Sequence, residues 1–128
     1  MDSLRILLVE PGRKPREMEI ADNLDAMQKI VKGLIQVLYP FDDLVAVVAN
    51  DEGKLLGLPM NRALRDEDGN IYDILCGTFF LSGIEEDRLV SLTNEQMQKF
   101  AQVYAVPELF VSINGNRFVL PMPEDKLE

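Results

Sequence analysis

Leu44-Val45-Ala46-Val47-Val48-Ala49, closed by Asn50-Asp51-Glu52-Gly53, is the run whose reading decides the fold. Val45, Val47 and Val48 are β-branched and no polar side chain interrupts them, so the run predicts a central strand rather than an edge. Working towards the N-terminus, Ile35 to Tyr39 predicts a neighbouring strand ended by Pro40. Before it, Leu24, Met27, Ile30, Val31 and Leu34 recur at three- and four-residue spacing, which predicts a helix with one apolar face. Asp22 or Asn23 caps its start, and Gly33 stands where a left-handed C-cap residue belongs. Leu4 to Val9, stopped by Pro11-Gly12, reads as a buried strand, and Arg16 to Ile20 alternates charged and apolar residues as a half-buried one. Lys54 to Leu58 reads as a short return strand. The first sixty residues thus spell β-β-α-β-β, a sheet with a helix on one face.

Towards the C-terminus, Leu58 to Arg65 has no clear period and contains Pro59, so Leu58 to Asn70 is expected to be a long loop. Asp66-Glu67-Asp68-Gly69-Asn70 is a turn sequence. Ile71 to Leu75 and Gly77 to Leu81 follow as strand candidates. Thr93 with Gln96 forms a capping box, and Met97, Phe100, Ala101 and Tyr104 make the buried stripe of a second helix. Leu109 to Ile113 and Asn116 to Leu120 flank Asn114-Gly115, a strong hairpin signal. The expected fold is α+β: one domain over residues 1–128, a mainly antiparallel sheet, two packed helices and a C-terminal β-hairpin. Residues 121–128 are expected to fray.

Composition excludes more chemistry than it assigns. The 128 residues carry a net charge of −9, one Cys and no His. Without His there is no imidazole base, no Ser-His or Cys-His nucleophile pair and no His metal ligand, which argues against an ordinary enzyme. A single Cys forms no internal disulfide and no multi-thiolate metal site, so no metal and no cofactor are expected. The acidic balance argues against direct binding of nucleic acid or acidic membranes. No run approaches the roughly 20 apolar residues that cross a bilayer, and Glu10-Pro11-Gly12 interrupts any secretory signal. A cytoplasmic location is expected, which free Cys76 fits.

The charge is unevenly placed. Residues 1–40 hold six basic and six acidic side chains, and residues 41–128 hold seven and sixteen. The acidic groups Asp42-Asp43, Asp51-Glu52, Asp66-Glu67-Asp68 and Glu85-Glu86-Asp87 all fall in expected turns. Solvated loops account for them; an acidic surface that docks on a basic groove is the competing reading. Asp66, Asp68 and Asn70 alternate like calcium ligands, but Ile71 stands at the sixth loop position, where the motif needs Gly, and Gly77 stands at the twelfth, where it needs a carboxylate.

Asn50 to Gly83 holds the richest set of binding groups. Asn61, Arg62, Arg65, Tyr72, Asp73 and Thr78 are the candidates for contacting a small polar ligand or a protein partner. The competing account has Arg62 and Arg65 pairing with nearby carboxylates to pin a loop. Arg13, Lys14 and Arg16 form the one cationic cluster, a candidate anion-binding loop or a solvated turn. Asp73, set in an apolar run, is the least supported candidate for acid–base catalysis. Met27, Met97 and the Phe79-Phe80-Leu81 run serve either a core or a homodimer interface.

At these residues the sequence resembles a family. Leu8-Val9-Glu10-Pro11-Gly12, Tyr39-Pro40-Phe41-Asp42-Asp43, Gly53-Lys54-Leu55-Leu56-Gly57-Leu58-Pro59-Met60-Asn61-Arg62-Ala63-Leu64-Arg65-Asp66 and Ile71-Tyr72-Asp73-Ile74 with Gly77-Thr78-Phe79-Phe80 are similar to an uncharacterised domain of unknown function. That family occurs in phages, prophages and conjugative elements of Firmicutes. The likeness covers roughly residues 4–105 and carries no site with it. It implies an accessory protein of a mobile element, and the candidate residues above make a non-catalytic binding role the first expectation. The alternative is an acidic anti-defence inhibitor that occupies a DNA-binding groove of a host enzyme.

Overall fold

The computed structural model describes residues 2–123. In chain order its elements are β1 (Ser3–Val9), β2 (Arg16–Ala21), α1 (Leu24–Val31), β3 (Ile35–Leu38), β4 (Val45–Asn50), β5 (Met60–Arg65), β6 (Ile71–Cys76), β7 (Phe79–Glu85), β8 (Arg88–Val90), α2 (Asn94–Val103), β9 (Glu108–Ile113) and β10 (Asn116–Pro121). The main sheet runs β2-β1-β7-β4-β3, with β8 on the far end of β7. β5–β6 and β9–β10 are separate two-stranded ribbons, and every pairing is antiparallel. The fold is α+β, with mostly antiparallel strands, two helices and a C-terminal hairpin.

β4 is buried along its whole length because both faces of the sheet are covered. Strand alternation sorts its neighbours into two cores. Leu4, Ile6, Leu8, Val48 and Phe80 face α1, where they pack with Ile20, Met27 and Val31. Leu7, Val9, Val45, Val47, Phe79 and Leu81 face the other way, against Met97, Phe100 and Tyr104 of the α2 segment and Leu64 and Leu75 of the β5–β6 ribbon. Met27, Met97, Phe79, Phe80 and Leu81 are all core residues, so none of them offers an exposed face to a second copy.

Both helix starts follow their caps. The Asn23 side chain accepts from Ala26 N at 2.8 Å, and Thr93 and Gln96 form the reciprocal capping box. The end of α1 departs from expectation: Lys32, not Gly33, is left-handed, with φ 66°. Gly33 has another role, because a Cβ there would stand 2.8 Å from the Asn50 amide nitrogen. That amide donates to Val31 O at 3.0 Å and Lys32 O at 3.3 Å, capping α1 from β4. Leu24 and Leu34 lie outside the buried stripe and are exposed.

Three further expectations are corrected. Lys54 to Leu58 forms no strand: residues 51–57 are consecutive turns, begun by Asn50 Oδ1 accepting from Glu52 N at 2.7 Å. Gly53 permits the turn to lie against β6, since a Cβ would meet Cys76 O at 2.6 Å. Leu58 to Asn70 is not a long loop, because β5 occupies its middle and pairs with β6. Register shifts between Met60 and Arg62 and between Leu64 and Arg65 erase the alternation that would have revealed the strand. At the C-terminus, Pro121 closes β10 and Met122 N donates to Pro107 O at 2.8 Å; residues 124–128 lie outside the described residues. The hairpin turn has both central residues at positive φ, Asn114 at 51° and Gly115 at 83°, as a primed turn requires.

Candidate functional site

The irregular pairing of β5 turns two consecutive polar side chains inward. Asn61 is fully buried, and its amide donates to Val9 O and to Gly77 O, each at 2.9 Å. Its Oδ1 accepts from Arg62 Nη1 at 2.8 Å. Arg62 is only 1% exposed. Its Nη2 donates to Arg13 O at 2.7 Å and to Tyr104 O at 3.0 Å, and Nη1 also reaches Asn61 O at 3.3 Å. One guanidinium therefore joins β5, the β1–β2 loop and the end of α2. Tyr104 is the C-cap of α2, and the negative end of the helix dipole suits a cation there.

No carboxylate makes a salt bridge with Arg62 among the described residues. Burial draws its pKa below the ordinary arginine value, while Glu108 and Tyr104 push it back up. Its Nε is buried and has no acceptor among the described residues. Tyr104 is pushed above the usual tyrosine range, first by burial and then by Tyr72 and Glu108, with Arg62 and Arg65 opposing.

Arg65 points outward from the same strand. It pairs with Glu108 Oε2 at 2.6 Å, while Glu108 Oε1 accepts from Ala63 N at 2.8 Å. Glu108 thereby satisfies a backbone donor of β5 and anchors the start of β9. Arg62, Arg65, Tyr104, Glu108, Phe41 and Leu64 line a cavity of about 420 Å³.

A larger cleft of about 700 Å³ lies across β6. Lys54, Met60, Tyr72, Asp73, Cys76 and Arg117 line it, with Leu58, Ile71 and Ile74 adding apolar wall. Lys54 and Asp73 form an ion pair, and Asp73 Oδ1 also accepts from Ile74 N at 2.8 Å. Arg117 forms no ion pair among the described residues. Tyr72 is 57% exposed. Burial pushes the Cys76 thiol up; Lys54 and Arg117 counter this and Asp73 reinforces it. A raised thiol pKa lowers the thiolate fraction and with it the nucleophilicity.

The six candidates from the 61–78 segment therefore separate. Asn61 and Arg62 are inside, Arg65 borders the smaller cavity, and Tyr72 and Asp73 share the larger cleft. Thr78 is half-buried between β6 and β7 and lines neither. In the cationic loop Arg13, Lys14 and Arg16 are exposed, and Arg16 reaches Glu10 at 3.4 Å. Asp42, Asp66, Glu67 and Asp68 meet with Arg65 and Tyr72 around an open cleft of about 550 Å³. Among the described residues no group of three or more Cys, Asp or Glu is placed to hold a metal ion, and no helix is long and apolar enough to cross a membrane.

Sequence reasoning missed Lys54, Glu108 and Arg117. Lys54 lies within the 50–83 segment but in a stretch expected to be a strand, and Glu108 and Arg117 come from the C-terminal ribbon that only the fold carries to β5 and β6.

Both clefts take part of their lining from β5 and part from the β9–β10 ribbon. Residues 4–105 match the family model of a domain of unknown function, DUF3846, and the chain belongs to that family. No curated protein and no solved structure matches the chain.

Proposed function

We propose that this protein is a non-catalytic binding protein, an accessory protein of a phage or mobile element acting in the cytoplasm, and that its ligand seat is the cleft across β6. The observation that carries the reading is Arg117, a cation with no ion pair among the described residues, beside the apolar wall of Leu58, Ile71 and Ile74 and the exposed ring of Tyr72. Asp73 cancels the charge of Lys54, so the lining has a net single positive charge within a chain of −9. That combination suits a small anion with a flat apolar body: the ring lies against Tyr72 and the apolar wall, and the anionic group meets Arg117.

Calorimetric titration with phenyl phosphate tests this, with inorganic phosphate and phenol as partial ligands. Phenyl phosphate is expected to bind more tightly than either part, and Arg117→Ala to weaken it by about tenfold to a hundredfold, one charge-assisted hydrogen bond being worth roughly 1.5–3 kcal/mol. Equal affinity in wild type and Arg117→Ala, or no measurable heat, refutes the reading.

A second reading is an acidic inhibitor that occupies a basic groove of a host enzyme. Its support is the convergence of Asp42, Asp66, Glu67 and Asp68 on one open cleft from two separate turns. Pull-down from host lysate should then recover a partner whose binding falls steeply as salt rises. Recovery indifferent to salt, or loss unaffected by Asp66→Asn with Asp68→Asn, counts against it.

A further inference from the structure

The β9–β10 ribbon begins after residue 105, beyond the segment that matches the family. Its register pairs Glu108 with Pro121, Phe110 with Val119 and Ser112 with Arg117, so these six side chains share one face. That face borders the clefts: Glu108, Val119 and Pro121 line the smaller cavity and Arg117 the larger cleft, with Glu108, Phe110 and Val119 half-buried. The opposite face carries Leu109, Val111, Ile113, Phe118 and Leu120, with Asn116 as its one polar residue. Ile113, Phe118 and Leu120 are exposed by 52%, 45% and 47%. A two-stranded ribbon whose solvent face carries a single polar residue is marginal on its own and is a mark of an interface.

The free edge of β10 specifies what could cover that face. β10 pairs only with β9 among the described residues. Met122 N donates to Pro107 O, so alternation in the antiparallel ladder makes Phe118·Val111 a hydrogen-bonded pair and Val119·Phe110 a non-bonded one. The N–H and C=O of Val119 and Arg117 therefore point outward to the free edge. Pro121 sits at a position whose missing N–H costs the ribbon nothing.

We propose that β10 pairs antiparallel with β10 of a second copy, centred on Val119, to form a four-stranded sheet across a two-fold axis. In that register Phe118 stands opposite Leu120 of the other copy, so the two apolar faces become continuous. Arg117 stands opposite Pro121, which keeps the two arginines apart. Val119 N–H donates to Val119 C=O in each direction, and Arg117 N–H donates to Pro121 C=O twice. Charge favours this contact over others: each copy carries −9, and the outer ribbon face holds no charged side chain, so two copies meet there without like charges opposed.

Sedimentation equilibrium from micromolar to millimolar protein tests the proposal. Wild type is expected to move from 14.5 kDa towards twice that mass. Val119→Pro removes only an outward N–H and leaves the β9 ladder intact; it is expected to stay at 14.5 kDa throughout, as is Phe118→Glu on the solvent face. Urea unfolding of each variant establishes that it is folded, and the exposed position of Phe118 keeps the test valid if Val119→Pro is not. A wild type monomeric at millimolar concentration overturns the proposal, as does a dimer that survives both substitutions.

Discussion

The two faces of the main sheet are closed by different means. Beneath α1 the closure is wholly apolar: Ile6, Leu8, Val48 and Phe80 meet Met27 and Val31, and one eight-residue helix suffices. On the other face α2 covers only part of the sheet, and the β5–β6 ribbon covers the rest. At their seam sit Asn61 and Arg62, which tie together chain ends that apolar packing leaves apart. An apolar contact is indifferent to orientation, whereas a guanidinium that donates to carbonyls of three segments fixes their geometry. The two clefts described above open on that second side, where the β5–β6 and β9–β10 ribbons, with the end of α2, form the walls.

The difference can be tested by substitution, and the largest effect should come from the apolar face. Phe80→Ala should cost about 3–5 kcal/mol in urea unfolding, because the cavity forms among side chains with little room to collapse. A loss below about 1 kcal/mol would mean that the α1 face is not a rigid closure. Arg62→Met keeps the volume but leaves the Arg13, Tyr104 and Asn61 oxygens without their donor, at about 3 kcal/mol in total if each buried acceptor costs about 1 kcal/mol or more. Arg62→Lys should recover only part of that, since a single ammonium lacks the planar fork. An Arg62→Met protein as stable as wild type would remove the distinction between the two faces.

Thr93→Ala should cost about 1 kcal/mol through loss of the α2 capping box. The smallest effect is confined to alkaline solution. Folding raises the Tyr104 pKa, so the folded state keeps a proton that the unfolded state releases. The associated stability is complete below the ordinary tyrosine pKa of about 10 and is lost as pH rises above it. Tyr104→Phe should therefore flatten the decline of the urea midpoint above that pH and leave the neutral midpoint nearly unchanged. An equally steep decline in the variant would show that Tyr104 is not the titrating group.

The contrast between faces also explains what could be read in advance. Elements whose local signals agree with their packing were legible: the β-branched β4, the Asn23 and Thr93 caps, and the Asn114-Gly115 turn. β5 was hidden because its bulges break the two-residue period over Met60 to Arg65. Residues 54–58 imitate a strand in composition, but the Asn50 side chain starts a turn that carries Leu55 into solvent. The candidate segment was visible as a cluster of polar types. Its division into a buried tie and an open cleft depended on pairing with Val9, Arg13 and Tyr104, contacts 42 to 52 residues distant that no local pattern encodes.

Arg62 is committed to the fold through its bonds to Arg13, Tyr104 and Asn61, so ligand binding at the proposed seat of Arg117 and Tyr72 should leave it undisturbed. Titrating isotope-labelled protein with phenyl phosphate, and following backbone amides together with arginine Nε–H signals, tests it most directly. Shifts are expected at Lys54, Tyr72, Asp73, Cys76 and Arg117, with the Arg62 Nε–H signal unmoved. Shifts centred instead on Arg62, Arg65 and Glu108 would contradict it.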